Sequence, residues 1–169
     1  MTIALRSAGV ADASTIDRLF DTSFCDTFAH LYSEEDLSTF LLGFDIDDWK
    51  QELGDPAFAF RLAEADGEAA GYAKLGPLTL PVETARPAIQ LDQLYVLKEY
   101  HGEGIAAALM DWAIAEARRR GAEQMYLTVF TENHRARRFY DRYGFEEIGP
   151  YKFMVGNQAD EDIIMRLAL

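Results

Sequence analysis

Two short segments hold residue types that could do chemistry. The first is Tyr100-His101-Gly102-Glu103-Gly104-Ile105-Ala106, between a strand-like run, Ile89–Leu97, and a helical stripe that begins at Ile105. Two glycines this close let successive backbone N–H groups converge with no Cβ in the way, and the helix start adds partial positive charge. Such a turn can hold a pyrophosphate. The second is Asn133-x-x-Ala136-x-x-Phe139-Tyr140-x-x-x-Gly144-Phe145. Asn133 and Tyr140 are two helical turns apart on one face, so an amide and a phenol could line one channel. Periodicity alone accounts equally for Ala136, Phe139, Tyr140 and Tyr143 as a buried stripe. A P-loop is excluded, because no Gly-Lys-Ser/Thr follows the glycines. Gly102-x-Gly104-x-x-Ala107 matches a loose dinucleotide fingerprint, but Lys98–His101 stand where that motif has its first glycine directly at the strand end.

These segments need elements to hold them. Ile3–Arg6 reads as a short strand, followed by a helix with Asp12 as N-cap and Ala13, Ile16, Leu19 and Phe20 at helical spacing. Asp36–Phe44 reads as another short helix, with Leu37, Phe40, Leu41 and Phe44 on one side. Phe58–Ala65 and Glu68–Leu75 flank Asp66-Gly67, which predicts a hairpin through a type I′ turn. Gly76–Ala88, with three of the five prolines, reads as a loop. The helix from Ile105 to about Arg120 presents Ile105, Ala108, Leu109, Trp112 and Ala113 inward, and Gly121 is its left-handed cap. Glu123–Phe130 is a strand and Asn133–Tyr143 a helix stopped by Gly144. Phe145–Ile148 and Ile163–Leu167 are closing strands around an irregular Gly149–Asp162. The pattern is mixed α/β (α+β) around a central sheet.

Composition narrows the functions these elements can serve. The 169 residues carry 16 basic and 29 acidic side chains, a formal charge of −13, with 49% hydrophobic residues. A chain this acidic repels phosphate backbones and anionic lipid, so neither nucleic acid nor a membrane is an expected partner. Cys25 is the only cysteine, which rules out an internal disulfide and a cysteine-rich zinc site. No metal site is expected. No run of about 18 apolar residues occurs and Met1–Ser14 lacks a signal-peptide core, so a cytoplasmic location is expected. Charge is uneven: Lys98–Arg142 holds eight Lys/Arg against seven Asp/Glu, whereas Leu19–Trp49 holds eight carboxylates and no Lys or Arg.

Together the two chemical segments resemble the GNAT superfamily of acyl-CoA-dependent N-acetyltransferases, most strongly over Ile89–Ile148. The opening Ile3-x-Leu5-Arg6-Ser7-Ala8…Asp12 is similar to that fold's first strand and helix, and His101 stands where the family usually has Gln or Arg. The resemblance implies one acetyltransferase domain over residues 1–169, with a mixed, mostly antiparallel central sheet flanked by helices. Its cosubstrate is acetyl-CoA. The backbone of Leu94, Tyr95 and Val96 would pair with the pantetheine arm. His101 and the amides of Gly102, Glu103, Gly104, Ile105 and Ala106 would hold the pyrophosphate. Asn133 would hydrogen-bond the pantetheine, and Tyr140 would protonate the leaving sulfur. The Val96 N–H would stabilise the carbonyl oxygen as it gains charge.

An attacking amine must be neutral, although free alkylamines have a pKa of about 10. A carboxylate or a water chain must therefore take its proton, and strict strand alternation puts Asp92 on the side of Leu94 and Val96, where it could serve. The strings Ser23-Phe24…Thr27-Phe28-Ala29-His30-Leu31-Tyr32-Ser33-Glu34-Glu35-Asp36-Leu37 and Val155-Gly156…Asp160-x-Asp162-x-x-Met165 resemble the bacterial polyamine (spermidine/spermine) acetyltransferase type. On that resemblance Glu34, Glu35 and Asp36 would draw in a cationic acceptor. A homodimer, a non-catalytic CoA-binding module, and an enzyme acting on protein N-termini or another amine stay open at this point.

Overall fold

A computed structural model describes Met1–Leu169. Five helices and seven strands make up the chain. The first half holds β1 (Ile3–Ser7), α1 (Ala13–Phe28), α2 (Glu34–Leu42), α3 (Ile46–Leu53), β2 (Ala59–Ala65) and β3 (Glu68–Gly76). The second holds β4 (Ala88–Val96), α4 (Ile105–Arg119), β5 (Gln124–Phe130), α5 (His134–Tyr143), β6 (Glu146–Val155) and β7 (Gln158–Ala168). All strands share one sheet in the order β1-β2-β3-β4-β5-β7-β6, antiparallel except where β4 meets β5.

The β2–β3 hairpin follows from its turn. Asp66 and Gly67 have φ of +50° and +84°, the two positive values that match a type I′ turn to twisted strands. The core lies on both faces of the sheet. One face packs under α4, whose Ile105, Leu109, Met110, Ala113 and Ala117 are buried. Met110 and Ala117 thus complete the stripe, while Ala108 and Trp112 lie at its half-buried edge. The other face packs under α1 and α3 with an aromatic cluster of Phe20, Phe24, Trp49, Phe60 and Tyr72.

Several local expectations are corrected. Asp12 stands at the start of α1, but its carboxylate does not cap that helix. It accepts from Gly9 N at 2.8 Å and pairs with Arg6 at 2.8 Å, the guanidinium holding it below the usual carboxylate range. The second helix begins earlier than expected because Ser33 Oγ accepts from Asp36 N at 3.0 Å. Helix α3 was not expected; Asp45 and Asp48 start it with a reciprocal capping box, and Trp49 sinks it into the core. Gly149–Asp162 is not irregular. It forms most of the β6–β7 hairpin, closed at Gly156 and Asn157, and Pro150 is tolerated because β6 is an edge strand.

Candidate active site

The site originates in a parallel pair that does not stay paired. Ladder contacts between β4 and β5 cover only Ala88–Gln90 against Gln124–Tyr126, although β4 runs to Val96 and β5 to Phe130. Beyond them the strands part, and the cleft between them is a cavity of about 490 Å³. That volume suits a small ligand. Strand alternation explains what the cleft can bind. Leu97 N donates to Ala70 O at 2.8 Å, so Tyr95 and Leu97 turn their backbone groups toward β3. Leu94 and Val96 therefore turn theirs toward the cleft.

The glycine turn closes one end. The first backbone hydrogen bond of α4 runs from Ala108 N to Gly104 O at 3.1 Å, leaving the amides of Ile105, Ala106 and Ala107 as the free donors of a helix start. Gly102 and Gly104 have φ of +84° and +80°, a region that disfavours side chains. A Cβ built on either meets nothing within 4 Å, so open space lies before the turn, as a diphosphate needs. The glycines and Ile105–Ala107 line the cleft, while Glu103 is exposed and lies off the cleft wall. His101 Nε2 lies 2.9 Å from Val96 O, and Arg135 Nη1 meets His101 Nδ1. This pair of contacts sets the tautomer, with the Nε2 hydrogen on the carbonyl and Nδ1 accepting from the guanidinium. Arg135 is thereby brought to the glycine turn.

Asn133 and Tyr140 both line the cleft, as their spacing predicts. Asn133 Oδ1 caps α5 by accepting from Ala136 N at 3.3 Å, which leaves its NH₂ as the group free to meet a ligand. Tyr140 packs edge-on against Phe139 and Phe145, and burial pushes its hydroxyl up to about 12. It therefore stays protonated through the physiological range.

Asp92 also lines the cleft, but not in the phase that strict alternation predicts. The β3–β4 register steps from Leu75↔Leu91 to Lys74↔Gln93, so Asp92 is the extra residue of a bulge. It sits with Lys74, on the face of β4 opposite Leu94 and Val96. Lys74 is buried, 2.8 Å from Glu52 and 3.6 Å from Asp92, with its Nζ 5.7 Å from the centre of the Trp49 ring. Burial, only partly offset by Lys74, pushes Asp92 up to about 6.

The acidic residues of α2 lie elsewhere. Glu34 and Glu35 are exposed in its first turn, where negative charge complements a helix N-terminus. Asp36 Oδ1 accepts from Asn157 N at 2.9 Å and so fastens the β6–β7 turn. None of the three lines the cleft. The carboxylates that do, besides Asp92, are Asp160 and Asp162 of β7, together with Ser23, Tyr32 and an aromatic wall that includes Phe24, Phe28, Phe130 and Phe153. In the sequence, Asp160, Asp162 and Tyr32 stand inside the strings that carry the polyamine-type resemblance, and no spacing there marks them as site residues.

Comparison with known proteins agrees with this geometry. The family model described as Acetyltransferase (GNAT) family matches residues 18–145. An uncharacterised N-acetyltransferase of Mycobacterium tuberculosis is 38% identical over 113 residues, 67% of this chain and 69% of its own. The aminoalkylphosphonate N-acetyltransferase of Salmonella typhimurium is 33% identical over 101 residues, 60% of this chain and 65% of its own. Among solved structures, the PaiA N-acetyltransferase of Thermoplasma acidophilum, in complex with coenzyme A, shares the fold with a TM-score of 0.82 over 100% of both chains at 22% identity. A split parallel pair, a glycine turn open before a helix start and a matching family model have one common explanation: this chain belongs to the GNAT family of acetyltransferases, enzymes that move an acetyl group from acetyl-CoA to an amine.

Proposed function

We propose that the acceptor is a small cationic amine of the polyamine type, which once deprotonated attacks the thioester carbonyl directly, without a covalent enzyme intermediate. The observation that carries this reading is the far wall of the cleft, where two buried carboxylates and several aromatic rings face the cavity and form no salt bridge. A cation is the ligand that such a wall favours. The name of the Salmonella relative, an aminoalkylphosphonate acetyltransferase, supports a small aminoalkyl acceptor more broadly. Exposed Glu34 and Glu35 would act at longer range, raising the local concentration of a polycation.

Acetyl-CoA supplies an acetyl group activated as a thioester, and the residues present fit it. The cleft-facing backbone of Leu94 and Val96 would hold the pantetheine arm, with the Asn133 NH₂ as a side-chain donor. The amides of Ile105, Ala106 and Ala107, with Arg135 held in place by His101, would hold the phosphates. The Val96 N–H would sit where charge develops on the carbonyl oxygen. Tyr140, kept protonated by its surroundings, would give its hydrogen to the sulfur.

A panel of spermidine, spermine, aminoalkylphosphonates, amino acids and peptides, scored for acetyl-CoA-dependent transfer, tests the reading. Highest kcat/KM on the polyamines supports it. Turnover confined to peptide N-termini or to anionic amines overturns it.

A further inference from the structure

We propose that Asp162 on β7 receives the ammonium group of the acceptor and takes its proton, with Asp160 as the second carboxylate of that subsite. The inference rests on the functional reading above and deepens it.

Asp162 is only 8% exposed and lines the cavity, yet no side chain or backbone group of the protein donates a hydrogen bond to its carboxylate. No Lys or Arg lies within ion-pair distance of it. An unpartnered carboxylate this deep is costly, so its surroundings favour a ligand that brings both a donor and a positive charge. Its neighbour is differently placed. Asp160, 6% exposed, accepts from the Tyr32 hydroxyl on Oδ2 and from Gln158 Nε2 at 3.2 Å on Oδ1. Asp160 is thus held rigid by the protein, whereas Asp162 is available. Ser23 Oγ, a buried atom without a partner, belongs to a residue of the same cavity wall.

The register shows how the subsite is walled. Asp162 pairs with Phe130 on β5 and with Tyr151 on β6, while Asp160 pairs with Phe153. Phe28 meets Phe130 edge-on at 6.1 Å, and Phe24 stacks on Tyr32 at 6.1 Å. Rings around two carboxylates suit an alkylammonium, the methylenes lying on the faces and the nitrogen reaching the oxygens. The titratable groups facing Asp162 are Asp160 on its own strand, Tyr151 on β6, Tyr32 before α2, and Tyr95 on β4, with Tyr140 beyond Tyr95. Burial and the Asp160 charge push Asp162 up to about 7, and burial above all keeps Tyr32 and Tyr95 protonated. Asp92 is less suited to the same task because Lys74 already faces it at 3.6 Å.

The proton balance is complete with residues present. Asp162 takes one proton from the ammonium and passes it to solvent. The freed nitrogen forms its bond to the acetyl carbon and the carbon–sulfur bond breaks. The sulfur leaves with the Tyr140 hydrogen, and the second proton lost by the nitrogen restores Tyr140.

The test uses the full chain, spermidine as acceptor and pH profiles of kcat/KM for wild type, Asp162→Asn, Asp160→Asn and Asp92→Asn. Wild type should lose activity below pH 7 along one acid limb. Asp162→Asn should lower kcat/KM by about 10²-fold or more and abolish that limb, while the Kd for coenzyme A, measured by calorimetry, changes less than twofold. Removing the neighbouring charge in Asp160→Asn should move the limb to lower pH, a shift that a merely structural role would not produce and that stands even if Asp162→Asn folds poorly. An unchanged limb in both β7 variants, or a limb lost only in Asp92→Asn, overturns the inference while leaving polyamine acetylation intact. Wild type that binds coenzyme A but leaves every cationic amine unacetylated overturns the functional reading and this inference together.

Discussion

Gly104→Ala separates the cost of a strained backbone from the loss of a phosphate site, because the same helix carries its own control. Gly104 begins α4 with φ +80°, Gly121 follows its end with φ +83°, and a Cβ at either meets nothing within 4 Å. An alanine at each position therefore suffers the same left-handed penalty, about 1–2 kcal/mol, with no clash added. For a chain of this size that lowers Tm by roughly 2–8 °C in both variants. Only the Cβ at Gly104 occupies the open space before the Ile105–Ala107 amides. A charge-assisted hydrogen bond lost there is worth about 1.5–3 kcal/mol, or roughly 10- to 160-fold in affinity. Coenzyme A at 100 times the wild-type Kd stabilises the native state by about 2.7 kcal/mol. A 10- to 100-fold weaker site leaves about 1.4 to 0.4 kcal/mol of that. Thermal unfolding with and without coenzyme A should thus show a full ligand shift in Gly121→Ala and at most half of it in Gly104→Ala. Equal ligand shifts in the two variants would refute the assignment of the phosphates to this turn.

Tyr140→Phe keeps the ring and its contacts with Phe139 and Phe145, so Tm and coenzyme A affinity should hold while kcat falls about 10²–10⁴-fold; near-wild-type turnover, with chemistry rate-limiting, would remove the acid role. Neutralising Glu34 and Glu35 should flatten the salt dependence of kcat/KM for spermidine and lower the free energy of unfolding by no more than about 1–2 kcal/mol, the worth of two exposed charges at a helix start. Asp36→Ala should also lower Tm, because it frees the Asn157 amide that the carboxylate holds at 2.9 Å. Stability itself should peak on the acid side of neutral. Asp92 and Asp162, raised to about 6 and about 7, hold protons in the native state that the unfolded chain has released, so stability declines as pH rises from 4 to 7. Glu116, held down to about 2 by Arg119 and Arg120, acts oppositely, and its contribution disappears as pH falls below about 4.5. Unfolding midpoints taken from pH 3 to pH 8 should therefore pass through a maximum near pH 4–5, and a monotonic rise to pH 8 would contradict the raised carboxylates.

How much of this is legible in the residues depends on how local the cause is. The type I′ hairpin at Asp66-Gly67, the glycine turn and the Asn133–Gly144 helix are written in residues that act within one or two turns, and each lies where its spacing predicts. The departures come from causes that spacing does not carry. Alternation puts Asp92 on the face of Leu94 and Val96, but a single bulged residue inverts the phase and sets Asp92 beside buried Lys74 of the neighbouring strand, a placement that the spacing within β4 does not carry. Gly149-Pro150 resembles a loop until the order of strands is known, for only an edge position lets a proline stay inside a ladder.

The β7 wall proposed for the acceptor is the least legible for a related reason. Alternate carboxylates in a strand ordinarily mark the solvent side, so Asp160-x-Asp162 looks like a surface face, and the denser acids of Leu19–Trp49 draw attention instead. Three of those acids lie in the first turn of α2, where they neutralise a helix start or fasten a turn. What turns the β7 pair inward is the splaying of β5 from β4. The partners Phe130 and Phe153 then face a cleft roofed by α1, and Asp162 comes with them because the ladder puts paired residues on one face. The two sides of the site thus differ in origin. The proposed acetyl-CoA side is built mainly from backbone groups, N–H donors that any sequence supplies once two glycines permit the turn. The proposed acceptor side is built from side chains that only the assembled sheet makes neighbours. A substitution on the first side should change cofactor affinity for every acceptor alike, and one on the second should change the choice of acceptor while the cofactor binds as before.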